Sequence, residues 1–479
     1  MSASRGTETS LPDPRRWKAL SVCLVAGFMS LLDVSIVNVA LPSIRTGLGA
    51  SPSDLQWIVS GYALTFGLVL VPCGRLGDTR GRRTVFVTGV ALFTLSSLAA
   101  GLAPTATVLV LARLVQGVGG GIINPQISGL IQELFRGPER GKAFGLLGAT
   151  IGISTAVGPV LGGFIIRLFG TETGWRWIFF VNLPIGLAAI LLSFRLIPSP
   201  KERAHRREDL DPVGVLLLGA GVLSIMLPLV QEQQWKGSAK WLLIPMGVVL
   251  IGLFALWENR YAGRGGAPLI DLSLFRTESY SSGLTIATLY FAGFAAIFFV
   301  LTLFLQNGLG YSPLLAGLTV TPFALGSAVT SAVGGRVVHR YGRPLIVLGL
   351  VLVVIGIAVT DLLIARGEGQ ALGWWVAAPL LVAGLGSGLV ISPNVTLTLA
   401  QVPVTRAGTA GGALQTGQRL GTAAGIALLG WVYFSTLAST QGDFALATSL
   451  ALRVTVLLVI VALIAAVVDV VSSRVRQRQ

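Results

Sequence analysis

Long, nearly uncharged apolar stretches recur fourteen times between Ala19 and Val471, each close to the roughly 20 residues a helix needs to cross a bilayer. A backbone surrounded by hydrocarbon must satisfy its own polar groups, and continuous apolar runs of this length do so as helices. The expected fold is an all-α integral membrane protein. Its helices are placed at about 19–41, 56–73, 84–102, 106–130, 142–168 and 177–197, then a pair at 213–230 and 242–257, then 280–306, 314–334, 344–363, 374–397, 410–437 and 446–471. Only 11% of the 479 residues are charged, against about 25% in soluble domains, so a water-soluble chain is excluded.

A net charge of +15 would suggest nucleic acid in a soluble domain. Here the basic residues sit in short loops. With the N terminus cytoplasmic, 26 of the 35 Lys and Arg fall in cytoplasmic segments, six outside (Arg45, Arg167, Arg176, Lys236, Lys240, Arg366) and three within helices (Arg113, Arg419, Arg453). That is the positive-inside distribution, and it predicts both termini in the cytoplasm. Only five basic residues are lysine and Gly is abundant, which suits a GC-rich bacterial genome and hence a bacterial inner membrane. The apolar run after Lys18 is too long for a cleaved signal and contains Asp33, so it reads as a retained first helix. Cys23 and Cys73 read as small core residues.

A shift of 261 residues superposes Ser51-Pro52 on Ser312-Pro313, Gly74-Arg75 on Gly335-Arg336 and Gly81-Arg82 on Gly342-Arg343, with nine identities in the 32 positions from 51 to 82. Both copies run from the outer face to a cytoplasmic loop, so the repeat is parallel. The domains follow: a tail at 1–18, a six-helix bundle at 19–198, a linker with two additional helices at 199–279, a second six-helix bundle at 280–471, and a tail at 472–479. Parallel six-helix halves characterise major facilitator transporters, with the substrate site between the halves.

The segment Gly74-Arg75-Leu76-Gly77-Asp78-Thr79-Arg80-Gly81-Arg82-Arg83, read as a loop after the second helix, resembles the signature loop of the major facilitator superfamily. Gly74, Asp78, Gly81, Arg82, Arg83, Arg336 and Arg343 are thereby expected to form a cytoplasmic gate, with His339 replacing the acid in the second copy. Leu32-Asp33-Val34-Ser35-Ile36-Val37-Asn38-Val39-Ala40-Leu41-Pro42 and Trp175-Arg176-Trp177-Ile178-Phe179-Phe180-Val181-Asn182-Leu183-Pro184-Ile185-Gly186 are similar to segments of its 14-helix drug:proton antiporter family. Gly158-Pro159-Val160-Leu161-Gly162-Gly163 is similar to the motif associated with exporters, with Ser154 standing where the leading glycine usually is. A second small-residue row, Gly141, Gly145, Gly148 and Gly152, reads as a helix-packing face.

Asp33 is the one carboxylate read as lying well inside a helix, and Arg113 is expected at the same depth. A desolvated acid near an arginine can carry a proton, so Asp33 and Arg113 are assigned to proton coupling. Facing a cavity, Asp33 would also balance a cationic substrate, and competition between proton and substrate would give antiport. Exchange of one such cation for one proton moves no net charge. For the cavity itself the resemblance implies helices 1, 4, 9 and 12. The candidates are Asn38, Gln116, Asn124, Gln126, Gln415, Gln418 and Arg419, with Phe291, Phe294 and Phe298 at helical spacing as an aromatic wall; core packing explains the three rings equally well. Arg419 has no evident acidic partner.

These readings converge on a proton-coupled exporter of hydrophobic drugs or antibiotics, cationic ones included. It is expected to act as a monomer in lipid without cofactor, metal or nucleic acid. The alternative is a proton-coupled importer of a small metabolite such as an organic acid. An enzyme is disfavoured: the two histidines, His205 and His339, lie in loops, and no phosphate-binding Gly-rich motif followed by Lys-Ser/Thr occurs.

Overall fold

The computed structural model describes residues 14–198, 211–231, 235, 237–367, 369 and 371–476. Among them are fourteen helices long and apolar enough to cross a membrane, and no strand. The first six are α1 (Arg16–Leu48), α2 (Pro52–Arg80), α3 (Arg82–Gly101), α4 (Ala106–Leu134), α5 (Gly137–Phe169) and α6 (Gly174–Leu196). The inserted pair is α7 (Pro212–Val230) and α8 (Leu243–Gly263). The last six are α9 (Glu278–Leu303), α10 (Pro313–Tyr341), α11 (Pro344–Arg366), α12 (Leu372–Thr398), α13 (Ala407–Ser439) and α14 (Phe444–Arg476). The charged linker residues Lys201, Arg203, His205, Arg206 and Arg207 lie outside the described residues.

The positions shared by the internal repeat are helix start and stop signals. Ser51 and Ser312 each accept a hydrogen bond from a backbone N–H of the first turn, and Pro52 and Pro313 fill the position where a proline sacrifices no helical bond. At the other end Gly81 (φ 97°) and Gly342 (φ 60°) turn the chain in a conformation that disfavours side chains. This corrects the expected loop at 74–83. Gly74 to Arg80 form the last turns of α2, and Gly81 alone separates them from α3. The apolar run ends near Cys73, but the helix continues beyond it.

Two other departures have local causes. Where one helix was expected at 177–197, α6 is interrupted at Val181, because Pro184 cannot donate to the carbonyl four residues back. In α8 the helix runs past residue 257 to Gly263 and buries Glu258. Asp33 is therefore not the only carboxylate within a helix; Glu258 and Asp361 are others.

Helices α1–α6 form one bundle and α9–α14 the other, while α7 packs on α8 and leans on α2 and α13. The bundles meet along α5–α10 and α2–α13. On α5, Gly141, Gly145, Gly148 and Gly152 lie directly on Gly335, Ser331, Ala328 and Ala324 of α10, close enough that a methyl group on any of them would collide. Such close backbone approach is how helices associate where lipid offers no hydrophobic drive.

Core packing is asymmetric along the membrane normal. At the end that carries both chain termini, one apolar cluster joins Leu20, Phe86 and Phe135 of the first bundle to Tyr280, Leu399, Val402 and Leu414 of the second. Toward the opposite end the clusters divide: Ile36, Ile44, Trp175 and Ile178 in the first bundle, and Val300, Leu429 and Tyr433 in the second. Apart from the α5–α10 seam and a cluster in which Leu64 of α2 and Ala423 of α13 meet through Val222 and Met226 of α7, the bundles are sealed at the terminus end and separate beyond it.

Gly335→Ala and Gly163→Ala should shift stability in opposite directions. A Cβ at 335 would lie 2.8 Å from the Gly145 nitrogen, whereas one at 163 meets nothing within 4 Å. Thermal unfolding of the purified protein in detergent should show the first destabilised by about 1–3 kcal/mol and the second stabilised by up to about 1 kcal/mol.

Candidate functional site: a sealed ion pair, a latch and a mid-membrane seam

Asp33 and Arg113 meet, as their depths predict, but inside the first bundle. Asp33 is 0% exposed and Arg113 1%. The Arg113 guanidinium donates to Asp33 Oδ2, to Gln116 Oε1 at 2.7 Å and to the Ile58 carbonyl at 3.0 Å. Gln116 Nε2 donates to Asp33 Oδ1 at 2.9 Å and Asn182 Nδ2 to the same oxygen at 3.2 Å; Asn182 also reaches Ser97 at 3.0 Å. Asn182 stands at the break in α6. Every neighbour of Asp33 is a donor, the surroundings that an ionised, acceptor-only carboxylate satisfies. The guanidinium lies 4.3 Å from the Tyr62 ring centroid, and Tyr62 in turn donates to the Ser30 carbonyl at 3.2 Å. Five helices, α1, α2, α3, α4 and α6, are thus tied to one charge pair.

Two assignments are corrected by this geometry. Asp33 does not face a cavity in this conformation, so it cannot serve as counter-charge to a bound cation here. Gln116 is a member of the ion-pair cluster rather than a cavity residue. Sequence reasoning gave Asn182, Ser97 and Tyr62 no role; a polar side chain in an apolar run was the available signal for the first.

The gate candidates divide. Asp78, whose side chain is fully buried, accepts from the backbone N–H groups of Gly408 and Thr409 at 3.0 and 2.9 Å and from the Thr409 hydroxyl at 3.0 Å. A carboxylate of the first bundle therefore caps the N-terminus of α13 in the second, where free N–H groups and the helix dipole favour an anion. Arg82 braces it: the guanidinium pairs with Asp78 and Glu133 at 2.8 Å each, donates to Gly129 O at 2.7 Å and crosses to the Val404 carbonyl. Gly74 lies against the Gly408 backbone and leaves no room for a side chain. Arg140 adds a bond to the Ala400 carbonyl at 3.3 Å. Together these close the terminus end.

The remaining gate candidates do not cross between bundles. Arg83 donates to the Phe194 carbonyl at 2.6 Å and lies over the Phe194 ring, both within the first bundle. Arg336 is exposed, and Arg343 pairs with Asp469 of α14 in its own bundle. Burial lowers the Arg343 guanidinium from its ordinary range, and Glu278 partly opposes this. With His339 in place of the acid, the second copy has no carboxylate with which to cap the other bundle.

In the exporter-like segment Gly158 and Gly162 lie against Ser35 and Ile36 of α1, and Pro159 approaches Gly317 of α10. A Cβ added at Gly163 would meet nothing within 4 Å, so no close approach requires a glycine there. Ser154 is used through its backbone, the carbonyl accepting from Ser35 Oγ at 3.0 Å.

The cavity candidates are dispersed. Gln126 is buried against α2, donating to the Cys73 carbonyl at 2.8 Å, so it is a packing residue. Asn38 is exposed and bonds back to Val34 O at 3.2 Å. Phe291, Phe294 and Phe298 are half-buried, and the last two meet Phe323 of α10 at 5.9 and 5.1 Å between centroids; they fill the gap between α9 and α10. Gln415 and Arg419 reach from α13 across to the first bundle, whereas Asn124 bonds within its own bundle and Gln418 is half-buried on α13. Asn124 bonds Ser30 at 3.3 Å, Gln415 crosses to Ser128 at 3.4 Å, and Arg419 lies over the Phe66 ring at 4.3 Å. Inserting an arginine at mid-membrane costs about 2.5–3.5 kcal/mol, a cost that Asp33 offsets for Arg113.

The Major Facilitator Superfamily profile matches residues 23–426. A probable actinorhodin transporter of Streptomyces coelicolor is 41% identical over 436 residues, covering 89% of this chain and 74% of the relative. The puromycin resistance protein of Streptomyces alboniger is 36% identical over 436 residues, covering 90% and 84%. The solved structure of a proton:xylose symporter superposes with a TM-score of 0.68 over 95% of each chain at 16% identity, a likeness of fold alone.

Asp78→Ala should loosen the terminus end. Cysteines replacing Ser128 and Gly411, whose Cβ positions lie 3.0 Å apart, report its closure by forming a disulfide. Each charge-assisted bond is worth about 1.5–3 kcal/mol, so the disulfide should form at least about tenfold more slowly in the Asp78→Ala background.

Proposed function

The chain belongs to the Major Facilitator Superfamily, and on that footing we propose that it is a proton-driven antiporter of a bacterial inner membrane, expelling hydrophobic antibiotic-like compounds. The family and the curated relatives are transporters, and those relatives carry names of antibiotic transport or resistance. In this reading both termini lie in the cytoplasm, by the distribution of Lys and Arg, and the structure is the conformation closed toward the cytoplasm. A single chain suffices, and no cofactor takes part.

The observation that carries the coupling is that α2 is held near its start by the Asp33–Arg113 pair and carries Asp78 near its end. Arg113 holds Asp33 and the Ile58 carbonyl of α2, and it stacks on Tyr62 of α2. The same helix ends in the Asp78 latch. Protonation of Asp33 removes the acceptor that fixes Arg113, frees α2 to tilt and releases the latch; loss of the proton toward the cytoplasm resets it. Substrate and proton then act on one two-state element without sharing a site, which is sufficient for linkage. One proton crossing 100 mV supplies about 2.3 kcal/mol, and at 1.4 kcal/mol per tenfold this supports roughly a 40-fold gradient of a neutral substrate.

The test is substrate-induced proton movement in inside-out vesicles. Adding a transported hydrophobic compound to vesicles with the unaltered protein should release protons, and Asp33→Asn should abolish the release. Release retained by Asp33→Asn would place the proton site elsewhere. Co-movement of substrate and proton in the same direction would support the importer.

A further inference from the structure

We propose that Arg419 is the anion-recognition site of the transport pathway, so that the substrates this protein favours are flat aromatic compounds carrying a carboxylate or an equally acidic oxygen. The inference rests on the efflux reading above and narrows it.

Arg419 is the thirteenth residue of the 33-residue α13, which places it near mid-depth. It projects across the seam onto Phe66, in the middle of α2. The two buried arginines each have a carboxylate, Arg82 with Asp78 and Glu133 and Arg113 with Asp33; Arg419 is half-buried on α13. Among the described residues Arg419 pairs with no carboxylate and donates no hydrogen bond. The elements packed against it offer none at its depth. On α2, Asp54 and Asp78 lie at the two ends; on α4, Glu133 is in the last turn; Glu278 begins α9 and Asp469 lies near the end of α14. The one mid-depth acid, Asp33, is already held by Arg113. At its depth the seam therefore holds a guanidinium with no carboxylate beside it.

The guanidinium lies 4.3 Å from the Phe66 ring centroid, and its N–H groups donate to no residue among those described. A planar fork of donors matches a planar two-oxygen anion, and a stacked ring beneath it favours an aromatic body. Gln415 and Gln418 stand one turn and one residue away on α13 and supply neutral hydrogen-bonding groups. Tyr62 is within electrostatic reach of both Arg419 and Arg113, so an anion at Arg419 sits one aromatic ring away from the Asp33 cluster. Export of such an anion in exchange for one proton moves two charges in the same sense, unlike the electroneutral exchange expected for a cation.

The test compares anthraquinone-2-carboxylic acid with its methyl ester, binding to the purified full chain being read by quenching of tryptophan fluorescence. The unaltered protein should bind the acid about tenfold or more tightly than the ester, the ratio that one charge-assisted contact gives. Arg419→Gln should erase that preference by weakening the acid and leaving the ester unchanged, and Arg419→Lys should retain part of it. Where Arg419→Gln fails to fold, Arg419→Lys decides, with a several-fold loss for the acid alone. Equal binding of acid and ester by the unaltered protein, or a preference that survives Arg419→Gln, overturns the proposal. Transport in vesicles separates the two readings: export of the ester without recognition of the acid keeps efflux and sinks the role of Arg419, whereas import of either probe removes the efflux reading itself.

Discussion

No water reaches the hydrocarbon middle of a bilayer, and a polar group sealed among helices there must therefore bring its partner with it. That constraint orders this protein more than any single contact. It explains why Asp33, Arg113, Gln116 and Asn182 form one closed set of bonds, why five helices contribute to it, and why the glycine rows exist. With no hydrophobic gain available between helices in lipid, backbones must come close enough for dispersion to hold them, and Gly141, Gly145 and Gly335 permit that approach.

The same constraint makes both ion-pair systems bistable. A carboxylate capping the N-terminus of α13 from the other bundle is favourable only while the two bundles are together; when they part, Asp78 and the N–H groups of Gly408 and Thr409 must find water instead. The terminus end offers that water, since Glu133 beside Arg82 is already 39% exposed. The Asp33 cluster has no such escape, because Asp33 and Arg113 are sealed within the first bundle. Helix α2 joins the two systems: Arg113 holds its Ile58 carbonyl near one end, and Asp78 lies at the other.

Much of this was legible in the sequence. Fourteen helices follow from the lengths of the apolar runs, and the repeat at 51–82 and 312–343 marks the matching starts and stops of α2 and α10. The meeting of Asp33 with Arg113 follows from equal depth and from the cost of leaving either alone. Helical phase was harder to read. Asp33 points into its bundle rather than toward a cavity, and Gln116 and Gln126 point away from the seam, because a helix with glycines on several faces gives no clear apolar side from which to infer orientation. The partners across the seam were also hidden: the N–H groups of Gly408 and Thr409 are backbone atoms, and no side-chain pattern announces that a helix N-terminus waits for an acid 330 residues earlier. Arg343 illustrates the opposite error, a residue matched by the repeat whose partner, Asp469, lies in its own bundle.

The central claim is that Asp33 is ionised while the terminus end is shut and takes its proton only as that end opens. Infrared difference spectroscopy tests it directly, comparing protein locked shut by a disulfide between cysteines at 128 and 411 with the same protein after reduction, at one mildly acidic pH. The account predicts that a carboxylic-acid carbonyl band, missing from Asp33→Asn, appears only after reduction. The same band at full strength in the locked protein would show that proton binding and closure are independent, and would contradict the account.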